Sequence, residues 1–192
     1  MKLYRITPNE QVTTQWSGGS STQLAIFPFE SDFKERTFLF RISTATTETE
    51  TSTFTSFRGY KRILMVIEGQ LNIHHTGQYS KQLGPFETDR FEGSWETKAE
   101  GKVRDFNVIY SEDQINEVIL EKRDLSQGET HLISLEKFDF AGVFIISGKA
   151  EAQGDVLKEK DFFLIERSLI ENVFHVRAVE NCTFLLVQID LK

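Results

Sequence analysis

The strongest constraint on this chain is alternation. T-F-L-F-R-I-S-T-A (37–45), K-R-I-L-M-V-I-E (61–68), D-F-N-V-I-Y (105–110) and C-T-F-L-L-V-Q-I (182–189) carry apolar residues at a period of two, as a strand with a buried face does. Glycine-containing turn signals punctuate the pattern at 18–19, 58–59, 76–77, 84–85, 93–94, 127–128 and 153–154. Almost nothing follows the helical period. Many short strands with frequent turns predict an all-β sandwich or barrel. The aromatic content agrees: 17 Phe stand against 2 Trp and 4 Tyr, and Phe packs on a pleated surface without needing a polar partner.

A weak internal repeat refines this. I-L-M-V-I-E-G-Q-L (63–71) lines up with G-V-F-I-I-S-G-K-A (142–150), each an apolar strand ending in a glycine, Gly69 or Gly148. Further on, L-G-P-F-E-T-D-R-F (83–91) and L-K-E-K-D-F-F-L-I (157–165) occupy comparable places. Two related β units imply a duplication. The order of strand, glycine, strand and turn is that of a cupin half-barrel, so the expected fold is a bicupin: two cupin-like β-barrels or sandwiches sharing a core. Residues 1–114 form the expected N-terminal barrel and 115–192 the C-terminal unit, with strand exchange between them left open. The charged segment 111–128 reads as the connection.

Composition excludes several classes. The net charge is −7 and no stripe of Lys and Arg stands out, which argues against nucleic acid. An acidic surface still permits a local arginine in a pocket. The single Cys182 excludes an internal disulfide and fits a reducing cytosol. Its apolar surroundings read as a buried strand with an inert thiol. Neither a signal peptide nor a membrane-length apolar run is visible. The expectation is a cytoplasmic protein of bacterial type, without membrane partners; a homodimer through edge strands is left open.

The tempting motif is W-S-G-G-S-S-T (16–22). It is not a phosphate loop, because no Lys follows the glycines at the required spacing, and the residues after it do not read as a helix. Metal is also disfavoured. Of the four histidines, His74 and His75 are adjacent and point to opposite faces of a strand, while His131 and His175 are isolated. Glu87 sits in a turn, and Glu171 near His175 has no second histidine beside it. No G-x-S-x-G elbow is present. The expectation is therefore no metal, no cofactor and no covalent catalysis.

The alternating strands carry more information. In 37–45, Leu39, Arg41, Ser43 and Ala45 share one face; in 105–110, Asp105, Asn107 and Ile109 do. Ordinary alternation would leave Arg41, Asp105 and Asn107 in water. If these faces look into a barrel instead, the arginine must be paired or hold a ligand. An Arg with an amide and hydroxyls suits a carboxylate, since the guanidinium fork donates to two oxygens. Arg62 is a weaker candidate and reads more simply as a surface residue.

Six stretches together resemble the HutD/Ves family: W-S-G-G-S-S-T (16–22), R-I-S-T-A (41–45), S-T-F-T-S-F-R-G-Y-K-R (52–62), E-G (68–69), G-P-F-E-T-D-R-F-E-G (84–93) and G-K-V-R-D-F-N-V (101–108). The resemblance implies a bicupin without the cupin metal ligands, occurring beside histidine-utilisation genes or as a stand-alone protein. It implies a pocket in the N-terminal barrel for a small metabolite such as formylglutamate. Arg41, Ser43, Phe54, Arg62, Asp105 and Asn107 are retained. The first motif departs from the family's W-x-N-G-G-G-T and the acid after it, with Ser17, Ser20 and Gln23 in those places.

The expected function is metal-free binding of a small carboxylate metabolite. Arg41 would anchor the anion, Ser43, Thr22 and Asn107 would orient it, and Trp16 would wall the pocket. Phe54 and Arg62 complete the expected set. Asp105 would hold Arg41 in place, or serve as the base of a cofactor-free enzyme. An interaction scaffold with a vestigial pocket is the remaining alternative.

Overall fold

The computed structural model of the chain describes residues 2–168 and 172–192; Glu171 lies outside them. The first strands are β1 (Lys2–Ile6), β2 (Val12–Trp16), β3 (Gly19–Phe27), β4 (Phe40–Thr47), β5 (Thr51–Thr53), β6 (Tyr60–Gly69), β7 (Leu71–His75), β8 (Ser80–Leu83) and β9 (Thr88–Glu92). They continue with β10 (Thr97–Glu100), β11 (Val103–Ser111), β12 (Ile115–Leu125), β13 (Thr130–Ser134) and β14 (Phe140–Ser147). The last are β15 (Lys149–Ala152), β16 (Asp155–Lys158), β17 (Phe162–Glu166), β18 (Val173–Ala178) and β19 (Cys182–Leu191). No helix occurs among the described residues. The fold is all-β.

The chain forms two compact units. Val12–Gln114 build one, from a six-stranded sheet in the order β2-β3-β4-β11-β6-β9 and a four-stranded sheet β5-β10-β7-β8. Ile115–Lys192 build the other, with residues 2–11. Its sheets run β1-β17-β14-β19-β12 and β13-β18-β15-β16. The first strand is thus an edge of the C-terminal unit, paired with β17 from Lys2↔Glu166 to Ile6↔Phe162.

The duplication shows in the pairing. β4 and β6 flank β11 as β12 and β14 flank β19; β6 pairs β9 as β14 pairs β17; β10 pairs β7 as β18 pairs β15. The glycines that close the repeat both have positive φ, 90° at Gly69 and 77° at Gly148. A Cβ at either would run into a backbone carbonyl, of Lys102 or Asn181. These positions require glycine for a close backbone approach.

One expectation needs correction. Segment 111–128 is not mainly a connection: its middle is the eleven-residue β12, paired with β19. Ile115, Val118, Leu120 and Leu125 are buried, and this apolar side outweighs the run of charges, which are spread along the other positions. Only 112–114 bridge β11 and β12.

Candidate binding site

The register of the six-stranded sheet assembles the site. On β4, β11 and β6, Arg41 lies opposite Ile109, and Ile109 opposite Arg62. The next row on the same face is Ser43–Asn107–Leu64, and the one after is Ala45–Asp105–Val66. Directly opposite residues share a face, so these polar side chains converge. They separate two apolar clusters of this unit, one around Ile26, Phe38, Phe57 and Ile109, the other around Leu64, Val66, Leu71 and Phe91. A cavity of about 390 Å³ lies there, with Trp16, Phe33, Phe54 and Phe57 among its walls and Arg41, Ser43, Arg62, Asp105 and Asn107 lining it. That volume suits a small molecule.

Both arginines are buried, Arg41 6% and Arg62 5% exposed. Arg41 donates from Nε to Gln23 Oε1 at 3.0 Å and from Nη1 to Ser43 Oγ at 3.0 Å, and its Nη2 lies 3.5 Å from Ser21 Oγ. Its guanidinium sits over the Phe33 ring, and that of Arg62 over the rings of Phe54 and Phe91. Such stacking holds a guanidinium while leaving its N–H edge free. Arg62 Nε, Asp105 Oδ1 and Asn107 Oδ1 are buried without a hydrogen-bond partner among the described residues.

Burial dominates the electrostatics. It pulls both guanidinium groups down to about 10, Arg62 being raised by Asp105 and lowered by Arg41. Both remain charged at neutral pH. Burial pushes the Asp105 carboxyl up to about 7, against the opposing pull of Arg62. The site therefore holds two cations and one carboxyl that is half-ionised near neutrality.

Seven of the eight sequence-selected residues line this cavity: Trp16, Arg41, Ser43, Phe54, Arg62, Asp105 and Asn107. Thr22 does not. It pairs with Thr44 and Thr13 on the alternate face, its hydroxyl 2.9 Å from that of Thr13. The hydroxyl of β3 in the cavity belongs to Ser21. Arg62 is not a surface residue, because its row mate Phe91 and the Phe54 ring cover it. Asp105 does not bond Arg41, whose partners are Gln23, Ser43 and Ser21; its charged neighbour is Arg62. Phe33 and Phe57 were not foreseen, and Phe33 sits in the β3–β4 loop where no alternation marks it.

The glycines of W-S-G-G-S-S-T have a steric role. A Cβ on Gly18 would occupy the place of the Trp16 ring, and one on Gly19, at φ 153°, would strike the Thr46 carbonyl. Gly18 thus leaves room for the Trp16 ring at the cavity wall, and Gly19 for the close approach of β4.

No histidine lines this cavity, and the adjacent His74 and His75 of β7 point to opposite faces. His75 is fully buried, Nε2 2.9 Å from Asp89 Oδ2 and Nδ1 2.8 Å from Thr97 Oγ1, while Tyr79 donates to Asp89 Oδ1. His74 faces outward to Ser80. Among the described residues no three His, Cys, Asp or Glu side chains converge as a metal site would require.

The whole-chain comparison decides the family. The HutD family model matches residues 9–184. The chain belongs to the HutD family. A curated relative from Pseudomonas putida, an uncharacterised 21.2 kDa protein in the hutC 3′ region, is 37% identical over 78 residues, 38% of this chain. The chain spans 40% of that relative's length. HutD from Pseudomonas fluorescens SBW25 superposes with a TM-score of 0.75 at 20% identity, covering 98% of this chain and 99% of that one. A conserved protein of unknown function from Pseudomonas aeruginosa PAO1 gives 0.83 at 21%, covering 99% and 100%. At those identities the two structures speak for the fold alone. It is the two-unit cupin-like architecture of HutD.

Within this HutD-family chain the two units differ where the site lies. Pairing against β14 puts Phe184 in the place of Asp105, Leu186 in that of Asn107, and Ala141 in that of Arg62. Phe184 and Leu186 join a single apolar cluster with Val143, Ile145, Phe163 and Phe174. The three positions that carry Arg62, Asn107 and Asp105 in one unit are thus apolar in the other.

Proposed function

We propose that the protein binds a small carboxylate-bearing metabolite in the cavity of its N-terminal unit, without metal. The observation that carries this is the imbalance of charge: two buried guanidinium groups face one cavity that holds a single carboxyl, which burial raises to about 7. Buried cations need a partner, and a bound anion supplies one. Arg41 and Arg62 would grip the carboxylate, while Ser21, Ser43 and Asn107 orient it and the aromatic side chains exclude water. Gln23 strengthens the reading. Where the family resemblance places an acid, this chain has a neutral acceptor on Arg41 Nε, so the Arg41 charge is left for the ligand. HutD membership and the hutC-adjacent relative support a role connected with histidine utilisation.

The test is thermal denaturation against formylglutamate, glutamate, urocanate, histidine and other small carboxylates, with and without chelator. Wild type and Arg41→Ala are compared. A ligand at 100 times its dissociation constant adds about 2.7 kcal/mol, and the expected shift is confined to wild type and untouched by chelator. No shift with any compound would favour the scaffold with a vestigial pocket.

One observation favours a second reading, a cofactor-free enzyme. The Asp105 carboxyl, pushed up to about 7 beside Arg62, is tuned as a general base is. Turnover abolished by Asp105→Asn with binding retained would select it.

A further inference from the structure

The proposed anion site contains a carboxyl where an anion would least want one. Asp105 stands one row from Asn107 and two from the Arg62 row, on the cavity face of β11. Its Oδ1 has no hydrogen-bond partner among the described residues, and no ion pair joins it to either arginine. The charged groups lining the cavity are Arg41 from β4, Arg62 from β6 and Asp105 itself. The lining side chains from β2, β3 and β5, and from the loops around Phe33 and Phe57, are hydroxyls and aromatics. The guanidinium of Arg104, next to Asp105 on β11, is paired with Glu68.

A carboxylate ligand bound by Arg41 and Arg62 would therefore lie beside a second carboxylate within a water-poor cavity. Two anions in one such site do not both stay ionised; one takes a proton. The ligand has two guanidinium groups to hold its charge, whereas Asp105 has no bond that favours its ionised form at Oδ1. The proton goes to Asp105.

We infer that Asp105 takes up a proton from solvent as an anion enters the cavity, so that the site binds anion and proton together. This rests on the anion-binding reading above. The neutral carboxyl turns an unpaired acceptor into an O–H donor aimed at the bound anion, which satisfies both partners. Asp105 becomes a residue that selects for anionic oxygen. Because the free carboxyl is already poised near neutrality, the coupling falls in the physiological range.

The test is calorimetric titration of the purified full chain with formate, acetate and glutarate, in buffers of different ionisation enthalpy, from about pH 6 to about pH 8.5. In wild type at the upper end, the heat should vary with buffer as for uptake of about one proton, and affinity should weaken about tenfold per pH unit above about pH 7. Asp105→Asn, neutral at every pH, should bind with no proton uptake and a flat pH profile. Binding by wild type with no proton uptake overturns the inference and leaves the anion site standing. Uptake that persists in Asp105→Asn assigns the proton elsewhere and also overturns it. If neither form binds any of the three anions, the anion-site reading fails, and this inference with it.

Discussion

The Arg41 guanidinium lies 4.1 Å from the centre of the Phe33 ring, so a residue in the β3–β4 loop roofs the cation on which the proposed binding depends. Removing the ring by Phe33→Ala should cost about 1 kcal/mol of stability and let water reach Arg41. Urea denaturation reads the first effect and anion titration the second. Unchanged anion affinity would mean the loop does not shape the site.

Asp105 should make stability depend on pH in an unusual direction. Its carboxyl is raised to about 7 in the folded chain from an ordinary value of 3.8. Between these values the folded chain holds a proton the unfolded chain has lost, so stability falls as pH rises, by about 1.4 kcal/mol per unit from this group alone. Above about pH 7 the contribution is flat. Asp105→Asn should remove that slope and leave the protein more stable than wild type near pH 8, measured by denaturation across the range.

Gly18→Ala should displace Trp16, whose ring occupies the space a Cβ would need. The expected signature is red-shifted tryptophan emission with Trp95 as the unchanged background, together with weaker ligand binding. Emission identical to wild type would show that Trp16 has another resting place.

His75→Ala should destabilise without touching the site. It strips the buried Asp89 of one partner and Thr97 of another, at a cost of about 3 kcal/mol. The ligand-induced rise in melting temperature should survive, and chelator should have no effect on either form. Loss of the ligand response would tie this cluster to binding.

The alternation of R-I-S-T-A and D-F-N-V placed Arg41, Ser43, Asp105 and Asn107 on common faces, because period two is a local property of a strand. What lay beyond reach was anything set by pairing. Thr22 fell on the wrong face because only the register with Thr44, and a bulge between Gln23 and Ala25, decide which hydroxyl of the Ser20–Ser21–Thr22 run turns inward. Arg62 read as a surface residue because its burial comes from Phe91 on a neighbouring strand and Phe54 from a loop. Phe33 had no pattern at all. The first strand likewise gave no hint that its partner, β17, lies some 160 residues away.

That distant pairing bears on the order in which the molecule is made. During synthesis every strand of Val12–Gln114 is made before β12 is complete, so the unit with the cavity can leave the ribosome and fold while the last strands are still being added. The other unit must wait for β17 before its first strand has a place. Arg5 on that strand also closes late, meeting Asp161, whose side chain is fully buried, at 3.1 Å. A nascent chain arrested after β11 has cleared the ribosome, but before β17 is made, should therefore already carry a competent pocket, with residues 2–11 still unpaired.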